Sequence, residues 1–117
     1  MPEGPTFRSG DKQKRSSGRV KLNAQGYYRL KGQEWTPCTI LDIAGGGLAL
    51  EGKFSFYPGD VLEVKFLLEG RPLIVEVQVT NVRGRKAGCT FISLSQPDRD
   101  FIQDYMHRNF FGDKKTI

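Results

Sequence analysis

The sequence predicts an all-β domain: a small antiparallel barrel of six or seven strands, with a flexible N-terminal arm and one C-terminal amphipathic helix. Three observations predict it. Short runs of alternating apolar and polar residues recur between Val20 and Leu94. Glycine- and proline-rich turns separate those runs. After Ser95 the apolar residues fall on a helical period instead. Short strands at this spacing favour closure, because closure removes the unpaired edges that would pair with other chains.

Residues 1–14 hold Pro2, Gly4, Pro5, Ser9 and Gly10 among scattered charges and show no period, so they read as a mobile tail. Alternation begins at Val20 and Leu22 and resumes at Tyr28 and Leu30, with Ala24-Gln25-Gly26 as a turn or bulge between them. Glu34 to Ile43 reads as a strand whose first half Pro37 confines to an edge or a strand start. Gly45-Gly46-Gly47 then removes every Cβ from a sharp turn and permits positive φ. Leu48-Ala49-Leu50 resumes a short strand. Lys53 to Tyr57 reads as a loop with Phe54, Phe56 and Tyr57 exposed, and Pro58-Gly59-Asp60 is a turn. Val61–Leu68 and Leu73–Val82 alternate on either side of Glu69-Gly70-Arg71-Pro72, a hairpin turn. Arg83-Gly84-Arg85 is another turn, and Lys86–Leu94 is the last strand. Ser95 with Pro97 and Asp98 forms a helix start. Phe101, Ile102, Tyr105, Met106 and Phe110 make one apolar stripe, so the helix covers about residues 96–111 and packs on an end or opening of the barrel. Gly112 stops it, and residues 112–117 are a polar tail.

At 117 residues the chain has room for one hydrophobic core, in a domain spanning 15–111. No apolar window is long enough for a membrane span, and the N-terminus lacks the apolar segment of a secretory signal, so the expected compartment is the cytoplasm. Cys38 and Cys89 sit in strand-like apolar surroundings and read as reduced core thiols. The net charge of +5 is uneven. Residues 1–35 carry eight Lys/Arg against three Asp/Glu, whereas residues 36–117 carry ten of each. The excess therefore lies in the arm and first strands, which points to an anionic partner met there.

The residues offer little for catalysis. The single His107 lies beside Arg108 on the helix, the carboxylates are dispersed, and no nucleophile, zinc or phosphate-loop motif occurs. No metal or cofactor site is expected, and the chain reads as a non-enzyme. Binding is better supported. Arg15 and Arg19 stand four residues apart at the entry to the first strand, and each can grip phosphate or the N7/O6 edge of guanine. Asp42 opens the triple-glycine turn, where a carboxylate can accept from guanine N1–H and N2–H₂ or simply cap the turn.

Arg15-Ser-Ser-Gly-Arg19 followed by Asp42-Ile-Ala-Gly-Gly-Gly47 resembles the PilZ domain, the bacterial receptor domain for cyclic di-GMP. The family pattern is Arg-x-x-x-Arg and then Asp/Asn-x-Ser-x-x-Gly at a strand end. The flanking Val20, GGGLAL, PGD and AGCTFISL segments fit as well, over roughly residues 12–110. The resemblance implies that Arg15 and Arg19 grip phosphates and guanine edges, that Asp42 binds a guanine, and that Gly46 and Gly47 shape the turn. It also implies that ligand binding wraps the arm over the barrel and exposes a surface to a downstream protein partner, in a monomer or a ligand-dependent dimer. Ala44 departs from the pattern by replacing its serine. A lost hydroxyl contact costs roughly 0.5–1.5 kcal/mol, about two- to twelvefold in affinity. The site is thus weakened but retained in the leading reading, a cyclic di-GMP receptor. The alternative is a PilZ-like adaptor that no longer binds the nucleotide and acts by protein contacts. A third and lesser reading is a general nucleic-acid-binding small barrel, motivated by the basic arm and expecting steep salt dependence and tolerance of any polyanion; nucleic acid is not the expected partner.

Overall fold

The computed structural model describes residues 18–111, with side chains as far as Asn109. The expected N-terminal tail, Arg15, the Phe110 side chain, the Gly112 stop and the 112–117 tail lie outside the described residues. The strands are β1 (Val20–Leu30), β2 (Thr36–Ala44), β3 (Gly47–Glu51), β4 (Val61–Leu68), β5 (Arg71–Arg83) and β6 (Lys86–Ser93). They are followed by α1 (Gln96–Met106), which widens into a π-helical turn at His107–Phe111. The six strands close a barrel in the order β1-β2-β3-β6-β5-β4, every pair antiparallel.

Two three-stranded meanders, β1-β2-β3 and β4-β5-β6, thus meet along two seams, β3–β6 and β1–β4. Inward positions follow the period of two. Leu62, Val64, Phe66 and Leu68 of β4 and Leu73, Val75, Val77 and Val79 of the neighbouring β5 all point inward, and no polar or charged residue is buried among the described residues. Pro37 costs little because β3 pairs only with Thr39–Ala44, so β2 lacks that neighbour at the proline.

Three sequence expectations need correction. Ala24-Gln25-Gly26 is neither turn nor bulge but the middle of β1; the bulge lies just upstream, at Leu22–Asn23, with Asn23 at φ 49°. Gly26 is there for closeness: a Cβ on it would stand 2.9 Å from the Ile40 side chain and 3.1 Å from the Lys65 carbonyl oxygen. Phe56 is buried, not exposed. Its ring meets Tyr28 edge-on at 5.0 Å and covers the barrel end where β1 finishes. The triple glycine adopts no positive φ; Gly45-Gly46 is a two-residue turn joining Ala44 to its partner Gly47.

The helix start behaves as its residues dictate. The Asp98 N–H donates to Ser95 Oγ at 3.2 Å, with Pro97 in the first turn. Ile102 and Tyr105 enter the core, and Phe101 and Met106 pack beside it. Arg71 Nη2 donates to Asp98 Oδ1 at 3.0 Å, and Arg108 reaches Glu69 in the β4–β5 turn. The helix therefore covers the opposite end from Phe56. Among the described residues no helix is long and apolar enough to cross a membrane.

Cys38 and Cys89 are free and buried. Burial pushes the Cys38 thiol up to about 11 and, with Cys38 nearby as a smaller cause, the Cys89 thiol up to about 12. The fold thus favours the protonated thiols. An unfolded chain loses these protons first, from about pH 8.5 upward. The thiol contribution to stability is therefore constant below that pH and falls as pH rises toward the folded values. Urea midpoints measured from neutral to alkaline pH should decline more steeply for this chain than for a Cys38→Ala/Cys89→Ala variant, and a thiol reagent should react rapidly only once urea unfolds the barrel.

Candidate functional site

The site lies on the outer wall of the barrel, across the β3–β6 seam. Strand alternation alone would not build it. Three bulges do, each on a strand bordering the groove. On β1, Leu22 and Asn23 stand where β2 offers one residue; on β2, Leu41 is extra against β3; on β5, Thr80 is extra against β6. A bulge resets the side-chain alternation and sharpens the local twist. Inward Ile40 is followed by two wall residues, Leu41 and Asp42, before inward Ile43. Likewise Val79 is followed by exposed Thr80 and Asn81. The Thr80 hydroxyl donates to the Gly88 carbonyl at 3.0 Å, satisfying a group that the bulge frees from the ladder.

Arg19 precedes β1 by one residue. Two residues on, Lys21 is the register partner of Asp42, so Arg19 projects along the same wall. Its Nη1 donates to Asp42 Oδ1 at 2.8 Å. The arginine side chain is 53% exposed and the aspartate 24%. This is a surface pair, worth about 0–1 kcal/mol. A ligand offering either group a charged or multidentate partner can therefore displace it at small cost.

Arg19 stands between two hollows. One, of about 460 Å³, is bordered by Lys21, Asn23, Asp42, Asn81, Arg83 and Lys86 over a floor of Ala49 and Gly88. The other, of about 220 Å³, is bordered by Ala44, Gly46, Gly47, Thr80 and Thr90. Together they run along the wall from the β5–β6 turn to the β2–β3 turn. The floor is small and flat, as a planar ring laid against backbone requires. Of the residues expected from sequence, Arg19, Asp42, Ala44, Gly46 and Gly47 are brought together here, and Arg15 lies outside the described residues.

Gly47 has a reason that sequence alone did not expose. A Cβ there would lie 2.0 Å from the Cys89 carbonyl oxygen, inside the β3–β6 seam, whereas Gly45 and Gly46 have open space around theirs. Sequence reasoning missed Lys21, Asn23, Asn81, Lys86 and Gly88. The bulges that aim the asparagines leave no compositional mark, and the basic run Arg83–Lys86 was visible only as a turn. Among the described residues, no group of three or more His, Cys, Asp or Glu is placed to hold a metal ion.

The PilZ domain family model matches residues 13–108. A search of curated proteins found no match. Among solved structures, the chain is similar to the inhibitor of motility MotI/DgrA of Bacillus subtilis, at 18% identity and a TM-score of 0.68, over 80% of this chain and 50% of that one. It is similar to the PilZ domain of CeSA from a cellulose-synthesizing bacterium, at 14% identity and a TM-score of 0.61, over 84% of this chain and 99% of that one. It is also similar to MrkH of K. pneumonia, solved as a complex with c-di-GMP, at 20% identity and a TM-score of 0.66, over 86% of this chain and 53% of that one. The chain spans about half the length of MotI/DgrA and MrkH.

Gly47→Ala should force the β3 and β6 backbones apart and destabilise the fold by about 1–3 kcal/mol or more. Gly46→Ala should change stability by less than about 0.5 kcal/mol. Paired urea titrations check the contrast; equal effects would remove the seam as the reason for Gly47.

Proposed function

The chain belongs to the PilZ domain family, and from that premise we propose that it is a cyclic di-GMP receptor domain, not an enzyme, acting in the cytoplasm. The observation that carries the reading is the Arg19–Asp42 contact of 2.8 Å, set midway along a groove floored by small residues. Each partner matches one half of a guanine nucleotide. The guanidinium suits a phosphate or the N7/O6 edge. The carboxylate suits the N1–H and N2–H₂ edge. The structure of MrkH with c-di-GMP, a protein of similar fold, supports the same ligand class.

In this reading Arg19 releases Asp42 when ligand arrives and turns to a phosphate. Arg15 joins it. Three residue steps of extended chain separate Arg15 from Gly18, at most about 11 Å. Arg15 and Arg19 then hold the ligand from above, Asp42 holds one guanine edge, and the backbone of Gly46 and Gly47 with Ala44 supports the ring from below. Closure of the Arg15–Arg19 segment over the wall changes the outer surface, and that changed surface is what a protein partner reads.

A second reading, a nucleotide-independent adaptor, is favoured by Ala44 in place of the pattern's serine and by Phe54 and Tyr57, which are 65% and 68% exposed on one loop. Calorimetric titration with cyclic di-GMP separates the two. The receptor reading expects binding in the micromolar range, a loss of about 1.5–3 kcal/mol for Arg15→Ala or Arg19→Ala as a charged hydrogen bond goes, and a gain of roughly 0.5–1.5 kcal/mol for Ala44→Ser as a hydroxyl contact returns. Absence of heat from the unaltered chain at tens of micromolar would sink it in favour of the adaptor.

A further inference from the structure

The larger hollow carries charge that the Arg19–Asp42 centre does not use. Beyond Arg19 it passes Lys21 on β1 and ends at Arg83 and Lys86, on either side of the β5–β6 turn. These residues bring four positive charges to one concave surface of about 460 Å³, and the one carboxylate bordering it, Asp42, is already engaged by Arg19. Among the described residues, Lys21, Arg83 and Lys86 form no ion pair. Glu51 stands opposite Lys86 in the β3–β6 register without pairing to it, and borders instead the neighbouring hollow with Lys53 and Arg85.

Scattered surface lysines are ordinarily solvated and carry no meaning. These differ in their company. Asn23 and Asn81, each set by a bulge, border the same hollow, and the Asn81 carboxamide lies against Gly88, where a Cβ would stand 3.0 Å from its Oδ1. A concave site lined by positive charge and amide donors focuses potential on an acceptor-rich anion. Lysine meets phosphate as a point charge, and arginine meets it with a fork of donors.

We propose that Lys21, Arg83 and Lys86 form a second anion site, for a phosphate or phosphodiester group, distinct from the arginine pair at Arg15 and Arg19. A cyclic dinucleotide carries two phosphodiesters on opposite sides of one ring. With one held by the arginine pair, the other falls toward the β5–β6 turn; this assignment, unlike the anion site itself, rests on the proposed function. Asn81 borders both hollows and is a specificity residue at the ring between them.

The test is a pair of titrations of the full chain, followed by amide NMR spectra at low salt. Inorganic pyrophosphate should move the amides of Lys21, Asn81, Arg83, Lys86 and Gly88. Lys86→Gln and Arg83→Gln should each weaken its binding on the order of tenfold, as expected for a charged hydrogen bond, and flatten its salt dependence. Lys53→Gln, in the neighbouring hollow, should leave both unchanged, and the variants should keep wild-type spectra elsewhere. With cyclic di-GMP the same two substitutions should weaken binding by a similar factor. Absence of any pyrophosphate shift at these amides, or titrations of Lys86→Gln and Arg83→Gln that match the unaltered chain, overturns the second site even if cyclic di-GMP binds. Pyrophosphate shifts without cyclic di-GMP binding would uphold the site and overturn the proposed ligand.

Discussion

The barrel depends on two places where strands from different meanders approach without a side chain between them. Gly47 sits against the Cys89 carbonyl on the β3–β6 seam, and Gly26 against the Ile40 side chain and, next, the Lys65 carbonyl on the β1–β4 seam. Hairpins form locally, because adjacent strands are already tethered. The seams must close over long sequence separations, and there a Cβ in the wrong place costs the most. Beyond the ends of the short β3, the β3–β6 seam is continued by two backbone bonds: Phe91 N–H donates to the Gly46 carbonyl at 2.9 Å, and Gly52 N–H to the Arg85 carbonyl at 3.0 Å. The groove lies across this seam, so the constraint that closes the barrel also supplies the groove's flat floor.

What was legible in the sequence follows from which forces act locally. The period of two in β4 and β5, the turn after Leu68 and the Ser95 cap are decided by neighbours along the chain; the turn is tighter than expected, with Glu69 and Gly70 at positive φ and the expected turn residues Arg71 and Pro72 already paired in β5. Gly26 and the triple glycine were misread for one reason. A glycine needed for backbone conformation and one needed for close approach look the same until the partner strand is known. Phe56 was misread because only the closed barrel shows that Tyr28 waits at its end. In the candidate site, Arg19, Asp42 and Gly47 were singled out through the family resemblance, and the structure places them along one groove. Asn23 and Asn81 were not, since a bulge is a mismatch between two strands and neither strand records it alone.

Charge and stability are divided between regions of the molecule. The interior is wholly apolar among the described residues, and its only titratable side chains are two thiols and two tyrosines that burial keeps protonated. Outside it, Arg71–Asp98 ties the helix to the start of β5, and Arg108–Glu69 ties the π-helical turn to the β4–β5 turn. The Arg19–Asp42 pair ties only the start of β1 to the wall, half exposed and cheaply broken. Its opening therefore leaves the core and the helix undisturbed. Near it, the hydroxyls bordering the Ala44 hollow belong to Thr80 and Thr90; Thr80 is committed to the Gly88 carbonyl, so the free contact of this kind falls to Thr90 on β6.

Placing the groove on a seam has a mechanical consequence. Lys21, Asp42 and Ala49 belong to the first meander, and Asn81, Arg83 and Lys86 to the second. A molecule bound there bridges the two meanders on the outside, where the apolar core joins them on the inside. Any ligand of the native state stabilises it by mass action, about 2.7 kcal/mol at a hundredfold excess over Kd. A bridging ligand also resists the partial opening that would separate β3 from β6 while each meander stays paired within itself. A ligand seated within one meander would leave that opening untouched. For a ligand held at Arg19 and Lys86, as proposed above, binding and integrity of the barrel would then be one equilibrium, closing from without the seam that Gly47 closes from within.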